Sequence, residues 1–87
     1  MWNASHFAAK FPLIVEVASP EDASEALFSK AREYLRSGCQ EIWLLFPENA
    51  IVIIMTADRS LIFTEAETVS TQTVLQGFSI SVAELFA

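Results

Sequence analysis

Glycine, proline, cysteine, histidine and basic residues are all scarce in this chain of 87 residues. Two glycines and three prolines are too few for collagen-like or low-complexity sequences, and the apolar content excludes a disordered chain. The solitary Cys39 cannot form an internal disulfide, and the one histidine, His6, is too distant in sequence to complete a zinc motif with it. This cysteine usage predicts a reducing, cytoplasmic location.

Long apolar runs and clusters of positive charge are also missing. The purest apolar run, Ala50 to Met55, is far too short to span a bilayer, and residues 1–10 lack the pattern of an export signal. Five basic residues are scattered among eleven acidic ones, which gives a net charge of −6. We therefore expect no membrane partner and no strong non-specific DNA binding by the monomer.

Apolar residues, by contrast, make up 53% of the chain, which is more than soluble domains usually carry. The length fits a single domain that spans residues 1–87. A domain of this size buries only about two thirds of the surface that its unfolded chain exposes. So apolar a chain needs a partner surface to complete its core, and we predict an oligomer.

The first half of the chain predicts a βαβ unit. Leu13–Val17 is apolar at every position except Glu16, which is typical of a central strand covered on both faces. Ile42–Phe46 is a second apolar strand. A strand, a helix and a strand at this spacing indicate a parallel pair joined by a crossover helix.

The helix of this unit has signals at both ends. Ser19 suits the N-cap and Pro20 the first helical position, and Gly38 suits the left-handed position that follows a helix. The sequence thus predicts a helix from Pro20 to Ser37, whose apolar stripe packs on a sheet.

The second half of the chain predicts further strands. A β-hairpin, an extended segment rich in Thr and Ser, a brief strand and a terminal turn capped by Ser81 follow in that order; they are Ile51–Met55 with Leu61–Phe63, 68–76, Phe78–Ile80 and Val82–Phe86. The antiparallel strands extend the parallel pair into a mixed sheet, so the predicted fold class is α/β (α+β).

Four ordered segments resemble one known family; they are Leu13–Pro20, Lys30–Gly38, Glu41–Leu44 and Gly77–Phe86. The family is the restriction-endonuclease-like one that is greatly expanded in some photosynthetic bacteria, and it belongs to the PD-(D/E)XK nuclease superfamily. The resemblance implies a restriction-endonuclease-like βαβ core with added antiparallel strands. It also implies that the chain corresponds to the C-terminal half of the family's usual domain, truncated at the N-terminal side, with residues 1–11 outside the family pattern.

The resemblance also implies a site. Glu16 falls on the family's metal-site glutamate and Lys30 on its helical lysine, so these are the candidate catalytic residues, and Glu16 is the candidate metal ligand. The aspartate that opens the family's first motif is Pro12 here, and the aspartate before the later turn is Phe46. Because Mg²⁺ is held by several oxygen ligands, the expected site is depleted. The structural alternative is an ion pair between Lys30 and Glu16.

Four other residues have a functional and a structural interpretation. His6 is a conceivable general base and Cys39 a conceivable nucleophile, but such residues more often lie on the surface or in packed positions without a chemical role. Trp43 and Tyr34 could stack on nucleic-acid bases, although aromatic residues in apolar stripes are usually core. The remaining acidic residues are expected on the solvated surface; they include Glu21, Asp22, Glu25, Glu33, Glu41, Glu48, Glu65 and Glu67.

Two functions remain open on this sequence. The first is a non-catalytic protein without a cofactor, acting as a homodimer or as an accessory subunit of a full-length relative. The alternative is a Mg²⁺-dependent DNA endonuclease whose metal site is completed by another subunit. A dimer is predicted because one helix covers only one face of the sheet and because the edge of Leu13–Val17 is left open. The candidate interface residues are Trp2, Phe11, Trp43 and Ile53.

Overall fold

The structure is a computed structural model that describes residues 12–71 and 78–87. Within these ranges the chain forms six strands and two helices, which are β1 (Leu13–Val17), α1 (Ser24–Arg36), β2 (Glu41–Phe46), β3 (Ile51–Met55), β4 (Ser60–Phe63), β5 (Thr68–Ser70), β6 (Ser79–Ser81) and α2 (Val82–Leu85). The predicted α+β class and the predicted order of elements are confirmed. Of the extended segment 68–76, residues 72–76 lie outside the described residues.

β1 to β4 form one mixed sheet in the order β1-β2-β3-β4. β1 and β2 are parallel, with Glu16 opposite Leu44, whereas β2, β3 and β4 pair antiparallel. This arrangement confirms the predicted βαβ unit with a hairpin added to it.

β1 is an edge strand in the described part of the chain, which agrees with the predicted open edge of Leu13–Val17, whereas the interpretation of this strand as central and covered on both faces is wrong. Val15 and Val17 are 49% and 59% exposed. Their side chains alternate with those of Ile14 and Glu16, so they lie on the face of the sheet away from α1. The apolar cluster that covers this face does not include them. The apolar residues of β1 therefore form an exposed apolar edge. The sequence did not show this, because composition alone does not distinguish a strand covered on both faces from an uncovered one.

The sheet has an apolar core on each face. The cluster on the α1 side contains buried residues of α1 and the sheet: Ile14, Ala31, Tyr34, Cys39, Ile42, Leu44 and Met55. The cluster on the opposite face contains Trp43, Leu45, Val52, Ile54, Val69 and Val82. Val69 belongs to the small β5–β6 sheet and Val82 to α2, so these elements cover the face that was expected to lack cover. That expectation is wrong because the sequence predicts short extended segments here but does not show that they pair with each other and pack over the main sheet.

α1 begins at Ser24, not at Pro20. The preceding residues form a turn, in which the Asp22 N–H donates to the Ser19 carbonyl at 3.0 Å and the Ser19 N–H donates to the Asp22 carboxylate at 2.9 Å. The N-cap is Ala23, without a side-chain hydrogen bond. The predicted start is wrong because serine and aspartate favour turns for the same reason that they favour helix ends: their side chains bond to nearby backbone N–H groups.

The predicted ends of the two helices agree better with the structure. Gly38 follows α1 with a φ of 117°, and the terminal turn forms α2, where Ser81 and Glu84 make the reciprocal hydrogen bonds of a capping box. No helix in residues 12–71 and 78–87 is long and apolar enough to cross a membrane.

Candidate functional site

Glu16 and Lys30 meet on the α1 side of the sheet. Side chains alternate along β1, so Glu16 lies on the same face as Ile14, which packs in the cluster against α1. Lys30 reaches from α1 toward β1, and its Nζ lies 3.0 Å from Glu16 Oε1. The ion pair predicted between these two residues is confirmed.

Tyr34 completes this cluster. It is buried one helical turn after Lys30, and its hydroxyl donates to the same Glu16 oxygen at 3.5 Å. Burial raises the pKa of the Tyr34 phenol, and the hydrogen bond to Glu16 raises the pKa of Lys30. At neutral pH, Glu16 Oε1 therefore accepts from a neutral phenol and from an ammonium group.

The Lys30–Glu16 pair lies at the margin of the protein. The Lys30 side chain is 50% exposed and the Glu16 side chain 25%. Water therefore competes with the pair, and exposed ion pairs contribute no more than about 1 kcal/mol to folding.

Pro12 and Phe46, where the resemblance leads us to expect aspartates, carry no carboxylate. Pro12 stands directly before β1, and its carbonyl accepts the N–H groups of Gln40 and Glu41, each at 3.1 Å. Phe46 lies at the end of β2, on the same face as Leu44, and packs against the α1-side core. Pro12 thus binds backbone N–H groups at the entry to β2, and Phe46 packs against the apolar core.

These residues do not fit a Mg²⁺ ion. The cation prefers six oxygen ligands, whereas Glu16 is the one carboxylate of this cluster, and a competing ammonium group is 3.0 Å from its Oε1. Among the described residues, no group of three or more His, Cys, Asp or Glu side chains is arranged to hold a metal ion.

Glu41 is a residue whose environment the sequence interpretation missed. It was expected on the solvated surface, but it is fully buried at the start of β2, and Trp43 Nε1 donates to its Oε2 at 2.6 Å. The two residues stand two apart on one strand and therefore share a face. An acidic residue two positions from a tryptophan inside an apolar strand is the signal that could have indicated this burial.

Cys39 has a structural role. It is buried directly after α1, and its Sγ donates to the Glu41 carbonyl at 3.3 Å. Burial raises the pKa of the Cys39 thiol, which keeps it protonated and unreactive at neutral pH. The interpretation of Cys39 as a packed residue is confirmed.

The aromatic candidates are distributed between the core and the undescribed segment. Trp43 is buried in the core away from α1, with its ring 6.3 Å from that of Phe78, so it is a core residue and its assignment to a dimer interface is wrong. Ile53 is half-buried and packs against the α1-side cluster. Trp2, His6 and Phe11 lie outside the described residues.

A four-stranded mixed sheet whose parallel pair is bridged by a helix, with a glutamate and a lysine meeting between them, is the arrangement of a restriction-endonuclease-like core. The model of the Uma2 family, which is described as "Putative restriction endonuclease", matches residues 3–83. The chain belongs to this family. The match begins inside the segment 1–11 that was expected to lie outside the family pattern.

A solved structure supports the same fold. The chain is similar to the crystal structure of a putative nuclease from Anabaena variabilis, with a TM-score of 0.76 and 19% sequence identity. The similarity covers 86% of this chain and 43% of that protein, so the chain spans less than half the length of the relative it matches. None of the curated proteins matches the chain.

Proposed function

We propose that this member of the Uma2 family is non-catalytic by itself and acts as an interaction protein in the cytoplasm, without a metal cofactor. Its partner is a second copy of the chain or a longer relative. The observation that carries the proposal is the donor set around Glu16, where a single carboxylate is already bound to Lys30.

The chemistry of phosphodiester hydrolysis explains why this donor set is insufficient. A metal-dependent nuclease uses a cation to lower the pKa of the attacking water and to neutralise charge on the phosphate. Lys30 supplies positive charge but no means of activating water. Tyr34 is no base at neutral pH because burial raises its pKa, and Phe46 presents only hydrocarbon to the site.

The open edge of β1 supports a partner subunit. In the described part of the chain β1 pairs only with β2, which leaves a row of backbone N–H and C=O groups free to pair with another strand. Val15 and Val17 present apolar side chains beside that edge. A strand from another chain would satisfy the backbone groups and cover both valines.

One observation favours the alternative function. Glu16 and Lys30 are in contact, and the sequence resemblance suggests that they correspond to the family's metal-site glutamate and helical lysine. A neighbouring subunit that placed further carboxylates beside Glu16 would supply the oxygen ligands that Mg²⁺ needs. The alternative is therefore a DNA endonuclease that is active only in such an assembly.

A plasmid assay tests the proposal. Purified protein is incubated with supercoiled DNA in the presence of Mg²⁺ or Mn²⁺, and relaxed and linear products are separated on a gel. The expected result is no cleavage above the level of a metal-free control containing EDTA.

Glu16→Gln is the matched control, because it removes the charge and keeps the shape of the side chain. Metal-dependent nicking by the parent protein that is absent from Glu16→Gln would overturn the proposal in favour of the endonuclease. Nicking that is equal in both preparations comes from a contaminating nuclease and leaves the expected result of no intrinsic cleavage in place.

A further inference from the structure

A cleft of about 420 Å³ lies on the other flank of α1 from the Lys30–Glu16 pair. Its walls come from the second half of α1 and from the end of β3 through the β3–β4 turn to the start of β4. Arg32, which lines it, stands two residues after Lys30 and so projects about 200° further around the helix. The cleft is therefore separate from the Glu16 cluster, and its volume is in the range of small-molecule sites.

The fold gathers positive charge in this cleft. Three of the five basic residues of the chain line it: Arg32 and Arg36 from α1, and Arg59 from the β3–β4 turn. In a protein with a net charge of −6, this is a local reversal of sign. Basic residues that are scattered along the sequence thus form one basic site in space.

Two of these arginines are available to a ligand. Arg36 makes a long, exposed ion pair with Glu33, at 3.6 Å. Neither Arg32 nor Arg59 makes an ion pair with another residue of the segments 12–71 and 78–87. In the described part of the chain, two guanidinium groups from different elements therefore line one cleft without an ion-pair partner.

The rest of the lining is partly apolar. Leu35 and Met55 contribute hydrocarbon from α1 and β3. Asp58, the acidic residue of the β3–β4 turn, is not part of the lining, and its carboxylate accepts a hydrogen bond from Thr56 Oγ1 at 2.9 Å. Apolar surface beside guanidinium groups suits a ligand that carries both an anionic group and a flat apolar part.

We propose that this cleft binds a nucleotide, with the guanidinium groups of Arg32 and Arg59 on the phosphate and the base against Leu35, beside the small exposed part of Met55. Guanidinium groups bind phosphate oxygens through paired N–H donors, and their planes also stack on aromatic rings. The same chemistry recognises a free mononucleotide and one nucleotide within a strand. The site uses neither Glu16 nor Lys30 and is independent of whether the chain is catalytic.

Calorimetric titrations of the full chain test this assignment, with adenosine 5′-monophosphate, adenosine, inorganic phosphate and a short single-stranded DNA as probes. The mononucleotide is expected to bind at least about tenfold more tightly than adenosine, which lacks the phosphate, or inorganic phosphate, which lacks the base. Competition by the oligonucleotide identifies a strand as the source of the ligand, and its absence identifies the free nucleotide. Absence of mononucleotide binding, or equal affinity for phosphate and mononucleotide, would overturn the proposal.

Variants locate the site. Arg32→Gln and Arg59→Gln are each expected to weaken mononucleotide binding by about tenfold or more, because each removes a charged phosphate contact. Lys30→Gln removes the same charge from the other flank of α1 and is expected to leave this affinity unchanged. Both arginines are exposed, so the variants should retain the fold, which far-UV circular dichroism verifies. An equal loss in Lys30→Gln, or no loss in the arginine variants, would contradict the assignment.

Discussion

Glu16 is the residue on which both candidate functions depend. Lys30 and Tyr34, one helical turn apart on α1, place their polar atoms 3.0 Å and 3.5 Å from its Oε1. Phe46, where the resemblance leads us to expect an aspartate, packs against the α1-side core. A side chain that could ligate a cation is here the acceptor of an ion pair, and the strength of that pair is measurable.

A double-mutant cycle measures the coupling between Glu16 and Lys30. We expect Lys30→Met and Glu16→Ala each to lower the free energy of unfolding by no more than about 1 kcal/mol, because Lys30 is half exposed and water replaces its partner. The coupling energy should be about 0.3–1 kcal/mol. Urea unfolding of the parent, both single variants and the double variant provides the four values, and strictly additive effects would show that the ion pair contributes nothing.

Alkaline pH should destabilise the protein through three residues. The pKa of Cys39 and the pKa of Tyr34 are raised mainly by burial, and that of Lys30 mainly by its hydrogen bond to Glu16. The folded protein therefore holds these protons more tightly than the unfolded chain, whose ordinary values are 9.0, 10.0 and 10.5. The stabilisation is fully present below these values and is lost as pH rises through the higher values of the folded state.

Urea unfolding measured at intervals from about pH 8 to pH 11 checks this expectation. The contribution of these groups should be constant below about pH 9 and should then decline. Cys39→Ala removes the thiol, so its curve should begin to decline at a higher pH than that of the parent. A free energy of unfolding that rises across this interval would contradict the assigned direction of the pKa shifts.

At this scale the sequence predicted the Glu16–Lys30 pair but not the burial of Glu41. The pair was predictable because a helix that follows β1 and packs on the sheet brings its basic residue over the strand. The burial of Glu41 was not predictable in this way, because acidic residues are rarely buried and the sequence does not show that the indole N–H of Trp43 donates to its carboxylate.

Among the elements, α1 owes its sharp end to Gly38. The Gly38 N–H donates to the Leu35 carbonyl at 3.2 Å, and the Cys39 N–H donates to the Tyr34 carbonyl at 3.1 Å. These two bonds form a Schellman motif, which requires the positive φ of 117° at Gly38. Because Cys39 and Tyr34 share the α1-side core, the motif also fixes the chain at the entry to β2.

Gly38→Ala should therefore destabilise the protein by about 1–2 kcal/mol, since a Cβ atom disfavours positive φ. The measurement is urea unfolding, compared with Gln40→Ala as the control. Gln40 is exposed, two residues further along the chain, and its replacement should change stability by less than about 0.5 kcal/mol. Equal stability of Gly38→Ala and the parent protein would show that this motif does not determine where α1 ends.

The elements differ in how far the sequence determined them. Gly38 adopts the positive φ that commonly ends a helix, so the end of α1 was predicted correctly. Ser19 and Asp22 suit a turn as well as a helix start, and the hydrogen bonds between them decide for the turn. β5 and β6 have three residues each, and they pack over the core that Val69 and Val82 complete. The local sequence does not show this packing, because it depends on contacts with distant residues.

For the whole molecule, an uncovered sheet face is not a reason to expect a dimer, because both faces are covered, but the open edge of β1 is. The face away from α1 is covered by β5, β6 and α2. Val15 and Val17 remain exposed beside a strand edge that has no partner strand in the described part of the chain. An interface there would pair β1 with a strand of another chain and would not involve the buried Trp43.

We expect light scattering at micromolar concentration to give about twice the chain mass of 9.7 kDa. Val17→Lys places a charge at the edge and should shift the protein toward the monomer, because edge charges oppose strand pairing. Ile62→Lys, on the exposed face of the other edge strand β4, is the matched control and should not. A monomer mass together with a melting temperature that does not depend on concentration would contradict the dimer.

The spatial grouping of the arginines could not be predicted at any smaller scale. Arg32 and Arg59 stand far apart in the sequence, on a helix and in a turn, and they line one cleft only because α1 packs over the sheet beside the β3–β4 turn. The family core was predictable because its motifs are local, whereas this cleft depends on how two such local elements pack together.

Glu16 is proposed to belong to an ion pair and not to a metal site, and Mn²⁺ titration followed by NMR of ¹⁵N-labelled protein distinguishes the two. Paramagnetic Mn²⁺ broadens the amide signals of residues near a bound ion. We expect no selective broadening at Glu16, Val17 or Leu44 at micromolar Mn²⁺, because one paired carboxylate cannot complete a cation site. Selective broadening of these signals that disappears in Glu16→Gln would contradict the account.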